Sequence, residues 1–404
     1  MQKKLWNKDF ILMLQGNAIS DIGDILYSVA IGYWVYEKTG SSTLMGVMSS
    51  ISMFMTMFVM PFSGSIIDKC DRKWVIVGMD IGRGAIMLAV GVLALIGKLT
   101  VPGVLVAAFL AAACSVFFNP AVETLMIDLI PHDDMVRGKS VHAGIQTSIG
   151  LVGKAFSGAL VAMMGVPVII LVNGVSYLLS AFTEMFIAVP KTKQQGEKVT
   201  IKGLLQDFAS AIKAIFSDKS LKIFVPCALL VNLLGAGPGS LMLPFVLEKG
   251  FTVDMYGYLM SVQTAASLVC VFVLGTVKMK PRTRYYAMSL GFITAGIFSV
   301  AAYLTNHFMV MCVMLFLSCF TNTIGNGVFN SAMMLALPEK NRGGILGFIN
   351  AAATGGSALS AVIFGVLGDI FPLYLVFIVG SILSSLPLIY MCLHKNTKAF
   401  ILEN

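Results

Sequence analysis

Runs of eighteen or more mostly apolar residues recur from one end of the chain to the other, each long enough to cross a bilayer. Breaking the sequence at charged and Gly/Pro-rich punctuation gives twelve of them: 9–36, 43–67, 74–97, 102–128, 139–164, 167–189, 221–247, 255–277, 285–303, 308–335, 345–368 and 373–393. Of 404 residues only 12% are charged, and mean hydropathy is +0.87; soluble domains carry about 25% charge. In lipid a segment must satisfy its own backbone hydrogen bonds, which helices do. The expected fold class is therefore all-α integral membrane with twelve transmembrane helices.

An even number of spans puts both termini on one side. Of the 28 lysines and arginines, Lys38, Lys98 and Lys249 fall in loops on the opposite side, and Arg83 and Lys154 inside spans. The rest crowd the terminal side, so the positive-inside bias places both termini in the cytoplasm. The net charge of +8 is explained by topology and gives no support for nucleic-acid binding. The opening "MQKKLWNKDF" is not read as a secretory signal: the run behind it holds Asp21 and Asp24 and lacks a small-residue cleavage site. The seven cysteines show neither metal spacing nor a disulfide framework. No metal or cofactor is expected.

The longest polar interval, 190–220, divides the chain into an N-terminal six-helix bundle (1–189), a linker (190–220) and a C-terminal six-helix bundle (221–404). Within the linker, "IKGLLQDFASAIKAIFSDKSLKIF" repeats apolar residues at helical spacing with lysines between, as suits a helix on the membrane surface. The halves echo each other: "LIPHDDMVRGKS" follows span four and "ALPEKNRGGILG" follows span ten. Parallel six-helix repeats are one way to build a secondary transporter.

The loop between spans two and three reads "GSIIDKCDRKW". Gly64, Asp68 and Arg72 stand at the spacing of the signature loop of the major facilitator superfamily, with Asp71 where many members have glycine. With "GNAISDIGD", "DIGRGAI", "FFNPAVETLMIDLIPHDDMVRG" and "LLQDFASAIKAIFSDKSLK", the chain resembles the macrolide-efflux and siderophore-export branch over nearly its whole length. The resemblance implies two pseudo-symmetric six-helix bundles in a bacterial cytoplasmic membrane. It also implies a central cavity lined by helices one, four, seven and ten, and a conformational latch of Gly64, Asp68 and Arg72. Arg72 would reach a carboxylate at the end of span four, Asp128 or Glu123. Two departures stand out: span four has no arginine, and span five lacks the glycine-proline of many drug–proton antiporters.

Polar residues recur on single helix faces. Span one carries Asn17, Asp21, Asp24 and Ser28; span ten Ser318, Asn322, Asn326 and Asn330; span eleven Asn350, Thr354 and Ser357. At 100° per residue each set shares a face. Polar groups are costly against lipid, so these faces should point inward, to a cavity or to another helix. Asn119 of span four joins the cavity-lining candidates. Lys154 lies fifteen residues into span five, ~22 Å at ~1.5 Å per residue, and Asp24 is equally deep in span one. An unpaired lysine at that depth costs roughly 2.5–3.5 kcal/mol. The expectation is a Lys154–Asp24 pair, Asp21 being the second candidate, either as a fixed tie or as one that opens on proton or substrate binding; snorkelling outward is the alternative. Asp80 and Arg83 pair with each other or the nearby loop, Glu123 belongs to the gate or the cavity, and Glu184 is solvated near the cytoplasmic face. Gly235, Gly237, Pro238 and Gly239 should break or bend span seven.

The four histidines are dispersed and neither a nucleophile elbow nor a zincin motif occurs, so an enzyme is not expected. The function expected is proton-coupled export of an amphipathic, drug-like small molecule by a monomer, with Asp21, Asp24, Lys154 and Glu123 as coupling candidates. Siderophore, lysophospholipid or nutrient transport, a channel, or a non-transporting sensor are the alternatives.

Overall fold

A computed structural model describes residues 5–67, 70–131, 134–188, 201–276, 279–337 and 342–403. The first six runs are α1 (Lys8–Thr39), α2 (Ser42–Ile67), α3 (Arg72–Leu95), α4 (Val101–Leu129), α5 (Met135–Met164) and α6 (Val166–Glu184). The linker forms α7 (Ile201–Ser217). Then come α8 (Leu221–Ser240), α9 (Met242–Glu248), α10 (Val253–Thr276), α11 (Pro281–Leu304), α12 (Phe308–Ala336), α13 (Arg342–Ile370), α14 (Leu373–Leu393) and α15 (Lys395–Glu403). Among the described residues eleven helices are long and apolar enough to span by length and composition alone. The 32-residue α1, which carries Asp21 and Asp24, is the twelfth.

Local chemistry sets the ends. Asn7 caps α1 by accepting from the Phe10 N–H at 2.9 Å. Thr100 caps α4 through the Gly103 N–H at 3.3 Å, and Asp71 caps α3 through the Lys73 N–H at 3.1 Å. That role accounts for an acid where the signature loop often has glycine. Span seven breaks as expected: Pro238 has no N–H to continue the ladder, the Leu241 N–H donates to its carbonyl at 3.0 Å, and α9 restarts at Met242. Phe245 of α9 stacks on Phe377 at 4.5 Å and meets Tyr303 edge-on at 5.5 Å, anchoring the restarted segment.

The chain forms two compact units: residues 1–40, 54–199 and 253–258 in one, and 41–53, 200–252 and 259–404 in the other. The division departs from chain order at two short segments, the first twelve residues of α2 and the first turn and a half of α10. In the first unit the principal packings are α3 on α6 and α4, and α1 on α5 and α6. Phe10, Met13, Ile67, Ile76, Leu125 and Leu129 form the core at its terminal side. In the second unit α8, α14, α11 and α12 make successive contacts, with α13 against α8. The linker helix does more than float on a surface. Its Ala211 and Ile215 are buried in the second unit's core, while Ile212 and Phe216 remain exposed.

Candidate functional site

The charged residues that α1, α3 and α6 carry into the apolar part of the first unit converge on one cluster. On α3, Asp80 and Arg83 are one turn apart, buried to 0% and 4% exposure, and bonded to each other through Oδ1 and Nη2. The guanidinium carbon of Arg83 lies 4.0 Å from the Phe118 ring centroid and 4.4 Å from that of Tyr177. A planar cation held between two π-faces gains quadrupole attraction once desolvated. Tyr177 also donates its hydroxyl to Asp24 Oδ1, and Asn173 donates to the same oxygen at 3.4 Å. One aromatic side chain thus links the acid of α1 to the cation of α3.

Glu184 closes the cluster at the end of α6. It is 1% exposed, and its Oε1 accepts from Ser180 at 3.4 Å. Gly16 of α1 leaves the room: a Cβ there would stand 3.1 Å from that oxygen. Among the described residues Glu184 Oε2 and Asp80 Oδ2 have no hydrogen-bond partner. The expectation of a solvated Glu184 is therefore overturned. Glu184 shares the α6 face of Tyr177 and Ser180, which turns its side chain toward Gly16 of α1.

Lys154 does not meet Asp24. Around Gly153 of α5, the α1 side chain that makes contact is Ile25, with Cγ2 3.1 Å from where a Cβ would be. Its neighbour Asp24 is turned about 100° away, toward α6. Lys154 is half-buried and, among the described residues, forms no ion pair. Asp21 faces α5 and is approached by Gln146. Nearer the chain termini, Asn17 Nδ2 lies 3.4 Å from His142 Nε2, and Lys139 donates to Glu123 at 3.3 Å with both half-exposed.

The remaining sequence candidates fall as follows. Arg72 pairs with Asp128, not Glu123; Gly64 lies in the last turn of α2, and Asp68 is outside the described residues. Ser28 is exposed and donates to the Ile25 carbonyl at 2.8 Å. Asn119, Asn326, Asn330 and Asn350 are exposed, Asn322 and Thr354 half-buried; Asn326 donates to Asn322 Oδ1 at 2.6 Å. At the other end of α2, Asp369 of α13 accepts from the Ser41 hydroxyl at 2.8 Å, the Thr43 N–H at 3.2 Å and the Ser42 N–H. Among the described residues there is no grouping able to hold a metal ion.

Sequence reasoning missed the α6 face. Asn173, Tyr177, Ser180 and Glu184 recur at spacings of four, three and four, the same rhythm as Asn17, Asp21, Asp24 and Ser28 on α1. Two facing polar stripes with one period were the available signal.

Chemically, the cluster is a set of acids (Asp21, Asp24, Asp80, Glu184) within electrostatic range of one guanidinium. Such a set can take up and release protons. Macrolide efflux protein A of Streptococcus pyogenes is 23% identical over 186 residues, 46% of each chain. A Bacillus subtilis protein described as a bacilysin exporter, BacE, is 31% identical over 206 residues, half of each chain. The chain thus spans about half the length of these curated relatives. The crystal structure of a bacterial homologue of the human lysosomal transporter Spinster superposes with a TM-score of 0.73 at 13% identity, covering 98% of this chain and 97% of that one. The family model of the Major Facilitator Superfamily matches residues 13–361, and the chain accordingly belongs to that superfamily of multi-pass membrane proteins.

Proposed function

We propose that this transporter exports an amphipathic small molecule in exchange for protons by alternating access. The observation that carries the reading is the excess of buried acid in the first unit: Asp80 and Glu184 are almost wholly enclosed, Asp24 and Asp21 adjoin them, and among the described residues Arg83 is the cation they share. Charge that cannot be solvated must be paired or neutralised. Proton uptake removes a negative charge from the cluster and release restores it, so its stability in each conformation is tied to protonation. The interacting acids titrate as a set, not one by one. Tyr177 is positioned to transmit the state of Asp24 to the Arg83–Asp80 pair, because its ring covers one and its hydroxyl bonds the other.

The efflux direction is supported by the similarity to a macrolide efflux protein and to a protein described as a bacilysin exporter, and the arrangement with both termini in the cytoplasm by the crowding of lysine and arginine on the terminal side. Arg72 and Asp128 act as a latch with Gly64 and Asp68. Transport requires a monomer only.

The test uses everted membrane vesicles from an efflux-deficient bacterial host, with labelled erythromycin and ethidium as probes. Energised vesicles carrying the protein accumulate at least one probe, and a protonophore abolishes accumulation. Glu184→Gln lowers the initial rate tenfold or more at equal protein level. Accumulation that survives the protonophore, or that follows a sodium gradient, overturns the proton reading; no accumulation of either probe overturns the substrate class.

A further inference from the structure

Between the later halves of α10 and α12 the second unit holds a groove of about 1180 Å³, closed at one end by α15. Val271 and Leu274 of α10, Leu335 of α12, and Phe400 and Ile401 of α15 make its walls. Small residues keep the two long helices from filling it. A Cβ at Gly327 would stand 3.0 Å from Leu274 Cδ1, so α10 and α12 touch at that level. A Cβ at Gly275, one residue further along α10, would meet nothing within 4 Å.

Among the described residues the lining holds one hydroxyl, one charge and no acid. The hydroxyl of Ser331 donates to the Gly327 carbonyl of its own helix at 2.8 Å, so its proton is not offered to the groove. The charge is Arg284, half-buried in the first turn of α11. Lys280 and Arg282 stand exposed beside it in the chain. Lys398 of α15 lies 5.6 Å from the Tyr285 ring centroid and extends the same positive rim.

We propose that this groove holds an anionic phospholipid, with an acyl chain between α10 and α12 and the phosphate at Arg284. Val271 and Leu335 are exposed on segments apolar enough to span a bilayer. Leaving such walls to water is unfavourable in proportion to their area, and an acyl chain covers them. Arg284 sits at the end of its span, where a long cationic side chain reaches headgroup level. Its planar fork matches a phosphate bidentately. Basic pockets between transmembrane helices take anionic headgroups in this way. The further lysines and arginine of the rim favour a lipid of net negative charge over a zwitterionic one with the same chains. The site shares no residue with the acid cluster of the first unit and does not depend on which compound is transported.

The test places one fluorophore in the groove. Trp6, Trp34 and Trp74, the three tryptophans of the chain, are replaced by phenylalanine, and a single tryptophan is returned as Val271→Trp. The protein is reconstituted in phosphatidylcholine and titrated with brominated phosphatidylglycerol or, in parallel, brominated phosphatidylcholine. Quenching gives the relative affinity of the two lipids. Ile297→Trp, on an exposed face of α11, reports the general ring of lipid. Phosphatidylglycerol is expected to be preferred at least fivefold more at Val271→Trp than at Ile297→Trp. Arg284→Gln, which removes the charge, and Gly275→Leu, which fills the open space, should each bring that preference down to the Ile297→Trp level. Equal preference at the two positions, or a preference that survives both substitutions, overturns the proposal. Recovery of fluorescence on adding glycerol 3-phosphate would assign the rim to a soluble phosphate, and recovery on adding erythromycin would assign the groove to cargo; either result overturns the lipid.

Discussion

Arg83→Met is expected to reduce the monodisperse yield of detergent-purified protein at least tenfold. Removing one partner of a buried ion pair typically costs about 3–5 kcal/mol, because the other charge stays enclosed and unpaired. Here the stranded partner is Asp80, at 0% exposure with one carboxylate oxygen already lacking a partner. The loss extends beyond that acid, since Phe118 and Tyr177 enclose the guanidinium and Tyr177 holds Asp24. Arg83→Lys should recover little. An ammonium has neither the planar face that fits between two rings nor the fork that reaches Asp80. Arg83→Met combined with Asp80→Asn should recover most of the yield, because the double variant removes the charge as well as its partner. Size-exclusion profiles and melting temperatures of the three variants decide it. Wild-type behaviour of Arg83→Met, or a double variant no better than the single, would show that the pair is not what holds α3 to its neighbours.

That cluster also marks where sequence reading stops. Apolar length fixes each span because lipid leaves a backbone no alternative to the helix, so the twelve runs and the break after Pro238 were legible from one chain. The pairing of Asp80 with Arg83 was legible too, since residues three apart on a helix are neighbours by geometry alone. Lys154 and Asp24 illustrate the opposite case. Both sit at mid-span on adjacent helices, but depth along a helix says nothing about rotation around it, and one residue's rotation gives the contact to Ile25. Glu184 was misread for a related reason: nearness to the end of a span says nothing about which way its face turns, and α6 turns Glu184 toward Gly16 of α1. The seating of Ser384 and Ser385 was not legible at all: they look like ordinary small residues in an apolar run until Gly235 and Gly296 are seen opposite them.

Gly46→Leu should cut probe efflux at least tenfold while leaving the protein monodisperse. Gly46 lies on the part of α2 that belongs to the second unit, and a Cβ there would overlap the Ala361 carbonyl of α13. A backbone oxygen inside a helix cannot swing aside as a side chain can, so the two helices must separate. Separation also withdraws Ser41, Ser42 and Thr43 from Asp369, whose carboxylate satisfies N–H groups that the first turn of α2 leaves open. Alternating access parts and re-packs helices at every turnover, and the close packing of this segment on α13 is expected to be one that has to be remade. A variant barred from engaging it then stalls transport without unfolding either core. Asp369→Asn should weaken the same contact more mildly, since an amide oxygen still accepts but carries no charge. A readout independent of any transported compound is available at Ser42, which is 2% exposed. Maleimide should label Ser42→Cys at least ten times faster when Gly46→Leu is also present. Equal labelling rates, or unimpaired efflux by Gly46→Leu, would mean that the packing of α2 on α13 is dispensable to transport.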